Sequence, residues 1–180
     1  GAMPKGRIAL QDHGDDVRYR NLRIRTFTAG APRRLFNGKD LSGWTHFLDN
    51  GGEASGTWSV KDGVLVCKGE PAGYVRTTED FENFILRVSW RFNPETKTEG
   101  NSGVLFRMTG ADKIWPKALE AQLYSKNAGD FWTIDGFKIA TDPARTRGGN
   151  VKKLVMAENP PGEWNTYEIE VDGGSVELRI

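Results

Sequence analysis

The nine residues Phe84-Ile85-Leu86-Arg87-Val88-Ser89-Trp90-Arg91-Phe92 alternate without a break. Phe84, Leu86, Val88, Trp90 and Phe92 fall on one side, Ile85, Arg87, Ser89 and Arg91 on the other. A repeat of two is that of a strand with one buried face, and a helix would scatter the same apolar residues around its circumference. Thr166-Tyr167-Glu168-Ile169-Glu170-Val171 repeats the pattern, turns at Asp172-Gly173-Gly174 and resumes at Ser175-Val176-Glu177-Leu178-Arg179-Ile180, which predicts a hairpin. Trp58-Ser59-Val60, the turn Lys61-Asp62-Gly63 and Val64-Leu65-Val66 predict another, and residues 103–108 and 119–124 two further strands. Over residues 17–25, strict alternation puts Val17, Tyr19, Asn21 and Arg23 on one face and Arg18, Arg20, Leu22 and Ile24 on the other. No long stretch carries a helical period with caps. Short strands with turn signals at close intervals predict an all-β sandwich of two antiparallel sheets. The irregular stretch 125–155 reads as a long loop, and loops of that length in compact domains tend to be functional.

The 180 residues suffice for one domain with a substantial core. The 25 basic and 24 acidic residues nearly cancel, which argues against a nucleic-acid partner. No apolar run approaches the ~18–20 residues of a membrane span. Cys67, the one cysteine, has no internal disulfide partner and sits in an apolar strand, so it reads as a packed thiol. Gly1-Ala2-Met3 reads as a protease scar, and localisation is not legible from the residues. The 22 glycines and six tryptophans suit tight turns and flat aromatic surfaces, on which sugar rings can stack.

Five strings, in order, resemble the 3-keto-disaccharide hydrolase family. They are Leu35-Phe36-Asn37-Gly38-Lys39-Asp40-Leu41-Ser42-Gly43-Trp44, Trp58-Ser59-Val60-Lys61-Asp62-Gly63-Val64-Leu65, Asn101-Ser102-Gly103-Val104-Leu105-Phe106-Arg107, Leu119-Glu120-Ala121-Gln122-Leu123 and Gly162-Glu163-Trp164-Asn165. The resemblance implies a concanavalin A-like jelly roll, a carbohydrate substrate and export from a bacterial cell, for instance to the periplasm. One departure concerns order. Residues 1–25 resemble the family's closing strands yet come first, residues 26–34 read as a linker, and residues 35–180 resemble the family's opening and central part. The order is that of a circular permutation or of a fragment cut across two tandem domains. The family would continue past Ile180, so a further strand is expected there, and a fragment would complete itself as a strand-exchanged homodimer.

Alternation places Ala118, Glu120, Gln122 and Tyr124 on one face of their strand and the core residues Leu119, Ala121 and Leu123 on the other. On the neighbouring strand it groups Val104, Phe106 and Met108 as apolar, leaving Arg107 on the second face to meet Glu120. A structural Arg–Glu pair on a solvated face is the plain alternative. His13 lies in the turn Asp12-His13-Gly14-Asp15-Asp16, whose carboxylates could hold a divalent cation although the spacing is not that of an EF-hand loop. Trp132 and Trp115 are candidate sugar platforms, whereas Trp44, Trp58, Trp90 and Trp164 suit packing. Lys138, Arg145 and Arg147 give the long loop a positive edge. His46 receives no role.

Ordinary glycoside hydrolysis needs two carboxylates about the scissile bond, and no second acid is spaced for that beside Glu120. The resemblance implies a sugar oxidised at C3, whose ketone acidifies the C2 proton. One base then suffices: it removes that proton, the C1 substituent leaves by elimination, and water adds. On that chemistry Glu120 or His13 is the base and Arg107 or a cation stabilises the enolate. Asn101, Gln122, Tyr124, Trp132 and Lys138 would bind substrate. The alternative is a lectin-like carbohydrate-binding module that holds a glycan without cleaving it.

Overall fold

Strand alternation holds along most of the chain and breaks at single inserted residues that reset which side chains face inward. The computed structural model describes residues 5–180, so the scar at Gly1-Ala2-Met3 lies outside the described residues. Its strands are β1 (Arg7–Asp12), β2 (Val17–Thr26), β3 (Ala29–Arg34), β4 (Trp44–Leu48), β5 (Trp58–Lys61), β6 (Val64–Cys67), β7 (Gly73–Thr77) and β8 (Phe84–Phe92). They continue with β9 (Gly103–Thr109), β10 (Lys117–Gln122), β11 (Phe131–Ile134), β12 (Thr146–Arg147), β13 (Asn150–Val151), β14 (Asn165–Asp172) and β15 (Ser175–Arg179). The larger sheet has the order β12-β13-β11-β10-β9-β1-β7-β4, and the smaller β15-β14-β8-β2-β6-β5 with β3 beside β2.

All the ladders are antiparallel, and the two sheets enclose one main core. The expected inward residues of β8, namely Phe84, Leu86, Val88, Trp90 and Phe92, are all buried there. Across the core lie Val104, Phe106, Leu119 and Ala121 of the larger sheet. Each such side chain is worth ~1.5–3 kcal/mol of transfer free energy, which is why the alternation is so clean.

β1 runs between β7 and β9, and β2 between β6 and β8, so the first two strands hold inner positions in both sheets. Their partners belong to the same chain. Residues 26–34, expected as a linker, fold back instead as β3 against β2. The stretch 125–155 is likewise less irregular than expected, because Phe131–Ile134 pairs with β10 and two short strands follow.

Two bulges correct the face assignments. In β2, Arg20 faces Ser89 and Arg23 faces Arg87, so three steps of β2 match two of β8. Asn21 takes up the extra residue with a left-handed φ of 55°, a conformation asparagine tolerates better than most residues. Val17, Tyr19, Leu22 and Ile24 are therefore buried, and Arg18, Arg20, Arg23 and Arg25 face outward. In β9, Phe106 and Arg107 together oppose Ile8 of β1, and Arg107 has φ 52°. Met108 is thereby moved off the core side and joins Ala9, Tyr74, Leu105 and Ala118 in a second, smaller apolar cluster. A bulge reverses every later side chain on its strand.

Candidate functional site

The outer face of the larger sheet carries that second cluster and, beside it, a group of buried polar side chains. Register defines the neighbours. Glu120 of β10 faces Leu105 of β9 on one side and Trp132 of β11 on the other, and Gln122 faces Gly103. In β1, Ala9 faces both Leu105 and Arg76, and Gln11 faces Tyr74. Glu120 thus lies between a small-residue trough at Gly103 and the indole of Trp132, which is 39% exposed. The glycine lets the carboxylate settle there: a Cβ built on Gly103 would sit 2.2 Å from Oε1 of Glu120 and displace it. The carboxylate lies over the backbone of β9 because no side chain occupies that position.

Glu120 is only 5% exposed, and among the described residues no hydrogen bond or ion pair reaches its carboxylate. Burial alone pushes this carboxyl up to about 8. Gln11 is 1% exposed, and among the described residues neither its Oε1 nor its Nε2 has a hydrogen-bond partner. The Oδ1 of Asn101 is also buried and unpartnered, while its backbone N–H donates to Asp15. Buried polar groups left without partners cost about 1–3 kcal/mol each and call for an explanation.

The connection between β9 and β10 folds back across this face. Asp112 receives hydrogen bonds from Nε and Nη2 of Arg76, both at 2.8 Å, and from the Tyr74 hydroxyl at 2.9 Å. Arg76 holds the Asp112 carboxyl below its usual range. Lys113 pairs with Asp135 at 2.6 Å, and the Trp115 ring lies 5.1 Å from that of His13. Since β7 stands two strands from β9, the connection passes over β1 and Gln11. His13 and Trp115 also line a cavity of about 580 Å3 with Asp12, Asp49, Glu70 and Pro71, a size suited to a small ligand.

Of the residues expected at the site, Glu120, Gln122 and Trp132 come together, with Asn101 at the start of β9 and His13 just beyond β1. Gln122 presents less than expected, since its Oε1 accepts from the backbone N–H groups of Leu123 and Tyr124. Tyr124 lies past the end of β10 and is 47% exposed, and Lys138 is exposed in the following loop. Arg107 does not meet Glu120. The bulge turns it inward, where it is fully buried and donates from Nη2 to the Gly173 carbonyl in the β14–β15 turn. Asp12, Asp15 and Asp16 do not converge as a cation site. Asp12 is buried and pushed up to about 6 by desolvation, Asp15 accepts from Asn101, and Asp16 accepts from Asn93 and pairs with Arg18. Among the described residues no group of three or more His, Cys, Asp or Glu could hold a metal ion. Gln11 and Gly103 are the residues that sequence reasoning missed. Their signal was present, because Gln11 is two residues before His13 on an alternating strand and Gly103 stands between an amide and an arginine.

The sequence profile of the 3-keto-alpha-glucoside-1,2-lyase-like domain matches residues 31–180, so β1 and β2 precede the match. A 3-keto-disaccharide hydrolase of Bacteroides thetaiotaomicron is 25% identical over 162 residues, covering 79% of this chain and 53% of that protein. The chain therefore spans about half the length of the curated relative it matches. No solved structure matches it. With most of its length covered by the profile, the chain belongs to the 3-keto-alpha-glucoside-1,2-lyase-like domain family.

Proposed function

We propose that the outer face of the larger sheet binds a 3-keto-glycoside and cleaves it by elimination and hydration, with Glu120 as the base. The observation that carries this is a desolvated carboxyl that, among the described residues, has no hydrogen bond of its own, set beside amides that also lack partners there. A base of raised pKa is matched to a carbon acid, because proton transfer is best when the two affinities approach each other. Asp112, the carboxylate that the β9–β10 connection brings onto this face, is committed to Arg76 and Tyr74, so it does not serve as the second acid of a two-carboxylate glycosidase. The family's description and the relative's name both specify 3-keto sugars.

In the proposed sequence, Glu120 takes the C2 proton and the C2–H electron pair forms an enolate with its charge on the C3 oxygen. Collapse of the enolate breaks the C1–O bond and leaves a C1=C2 double bond. The departing oxygen takes a proton from His13, and water then adds hydroxyl at C1 and hydrogen at C2. The Gln11 amide donates to the C3 oxygen as charge builds there, in place of the Arg107 expected from sequence. Trp132 stacks against the sugar ring.

The decisive experiment incubates the full chain with a 3-keto-disaccharide in deuterated water. Release of the free sugar together with deuterium at C2, above that in product incubated without protein, is the expected result. Release without C2 deuterium would exclude elimination, and saturable binding without release would make the face a carbohydrate-binding module. Gly103→Ala serves as a second check. The added methyl group displaces the Glu120 carboxylate, so turnover falls about a hundredfold, as misplacements near 1 Å can cause. Unaltered kinetics in a folded Gly103→Ala protein would place Glu120 outside the chemistry.

A further inference from the structure

The opposite side of the molecule carries a charged face for which the chemistry above has no use. On the outer surface of the smaller sheet, β2 presents Arg18, Arg20, Arg23 and Arg25, β8 presents Arg87 and Arg91, and β3 adds Arg34. Like charges meet directly across the ladder, Arg18 opposite Arg91 and Arg23 opposite both Arg87 and Arg34. Such pairs destabilise a sheet, and the bulge at Asn21 keeps all four β2 arginines on this one face. Arg18 has Asp16 nearby and Arg87 has Glu168. Arg20, Arg23, Arg25, Arg34 and Arg91 have no carboxylate within 4.0 Å among the described residues. Two hollows adjoin at Arg23. One, of about 510 Å3, includes Arg25, Arg87 and Pro32, and the other, of about 270 Å3, includes Arg34 and Lys39.

We propose that this arginine face binds an anionic polysaccharide through its carboxylate or sulfate groups, holding the domain on a polymer while the opposite face works. The inference does not rest on the catalytic reading; only the choice of a glycan draws on the family. Guanidinium forks match carboxylate and sulfate oxygens in pairs, and two rows of them on adjacent strands suit a linear chain bearing repeated charges. A nucleic acid fits less well. Among the described residues the face carries no helix to enter a groove. Its aromatic ring, Trp164, already lies under the guanidinium groups of Arg20 and Arg91, at 4.0 and 4.4 Å, so it is not open for base stacking.

The test measures binding of the full chain to polygalacturonate and to dextran sulfate, with neutral dextran and a single-stranded oligonucleotide as comparators, at two salt concentrations. The variant Arg20→Gln/Arg23→Gln/Arg25→Gln is set against Lys68→Gln/Lys117→Gln/Lys126→Gln, which removes the same charge from exposed positions elsewhere. The expected result is salt-sensitive binding to an anionic polysaccharide, weakened at least about tenfold in the arginine variant and little changed in the lysine variant. Turnover of a small 3-keto-disaccharide should be the same in all three proteins, and Glu120→Gln should bind polymer like the parent. Removing like-charge pairs should not unfold the arginine variant, and a thermal melt confirms this. No binding above neutral dextran, equal loss in both triple variants, or tighter binding to the oligonucleotide would overturn the proposal.

Discussion

Glu120→Gln should lower turnover of a 3-keto-disaccharide by about a thousandfold, within the ~10²–10⁴ that a positioned general base contributes. Substrate affinity should change far less, because the amide keeps the shape of the carboxyl. The parent protein should show kcat/KM rising with pH and levelling above about 8, where the buried carboxyl ionises. A falling limb at that pH would recast Glu120 as a general acid.

Stability responds to the same residue, and the sign follows from linkage. The folded pKa, about 8, lies above the 4.5 of an ordinary glutamate, so between those values the folded state holds a proton that the unfolded state has released. Folded stability therefore declines as pH rises from about 4.5 to about 8, and is constant with respect to this group above that. Glutamine carries no such dependence. At pH 9 the variant should be more stable than the parent by roughly 3–5 kcal/mol, and near pH 4 the two should converge. Denaturant unfolding at both pH values measures this. Equal stability at pH 9 would mean that the carboxylate is solvated in the folded protein.

Arg107→Met should act on folding instead of turnover. The guanidinium is fully buried and bonds the Gly173 carbonyl, which links the bulge of β9 to the β14–β15 turn of the other sheet. Methionine replaces only the aliphatic stem and makes no hydrogen bond, so the Gly173 carbonyl loses this partner and the space of the guanidinium is left unfilled. A loss of about 2–3 kcal/mol is expected, seen as a lowered urea midpoint with unaltered m. Turnover per folded molecule should stay within about twofold of the parent. The opposite outcome, a large fall in turnover with the midpoint preserved, would return Arg107 to the reaction.

Strand positions were legible in the residues because a buried face imposes a repeat of two on any strand that carries one. β8, the β5–β6 and β14–β15 hairpins and the inward set Leu119, Ala121 and Leu123 all followed from it. The same pattern put Glu120 and Gln122 on the face away from the core, and register then set Trp132 beside Glu120. Local pattern says nothing about an inserted residue whose partners are distant in the chain. Asn21 and Arg107 take left-handed backbone because Ser89 and Arg87 on one ladder, and Ile8 on the other, already have partners. Those two bulges decided that four arginines share the outer face of β2, that Met108 leaves the core and that Arg107 turns away from Glu120.

Solvation at the candidate site was also beyond the reach of sequence. A carboxylate on an outward face reads as solvated, yet Glu120 is buried against Gly103, Leu105 and Trp132, on the face that the β9–β10 connection crosses through Asp112 and Trp115. A two-sheet sandwich and the strand that carries the carboxylate could be read from residue order, because both depend on which residues avoid water. The burial of that carboxylate and the placing of the arginines came from the tertiary structure, because both depend on neighbours brought together by pairing across many residues of chain.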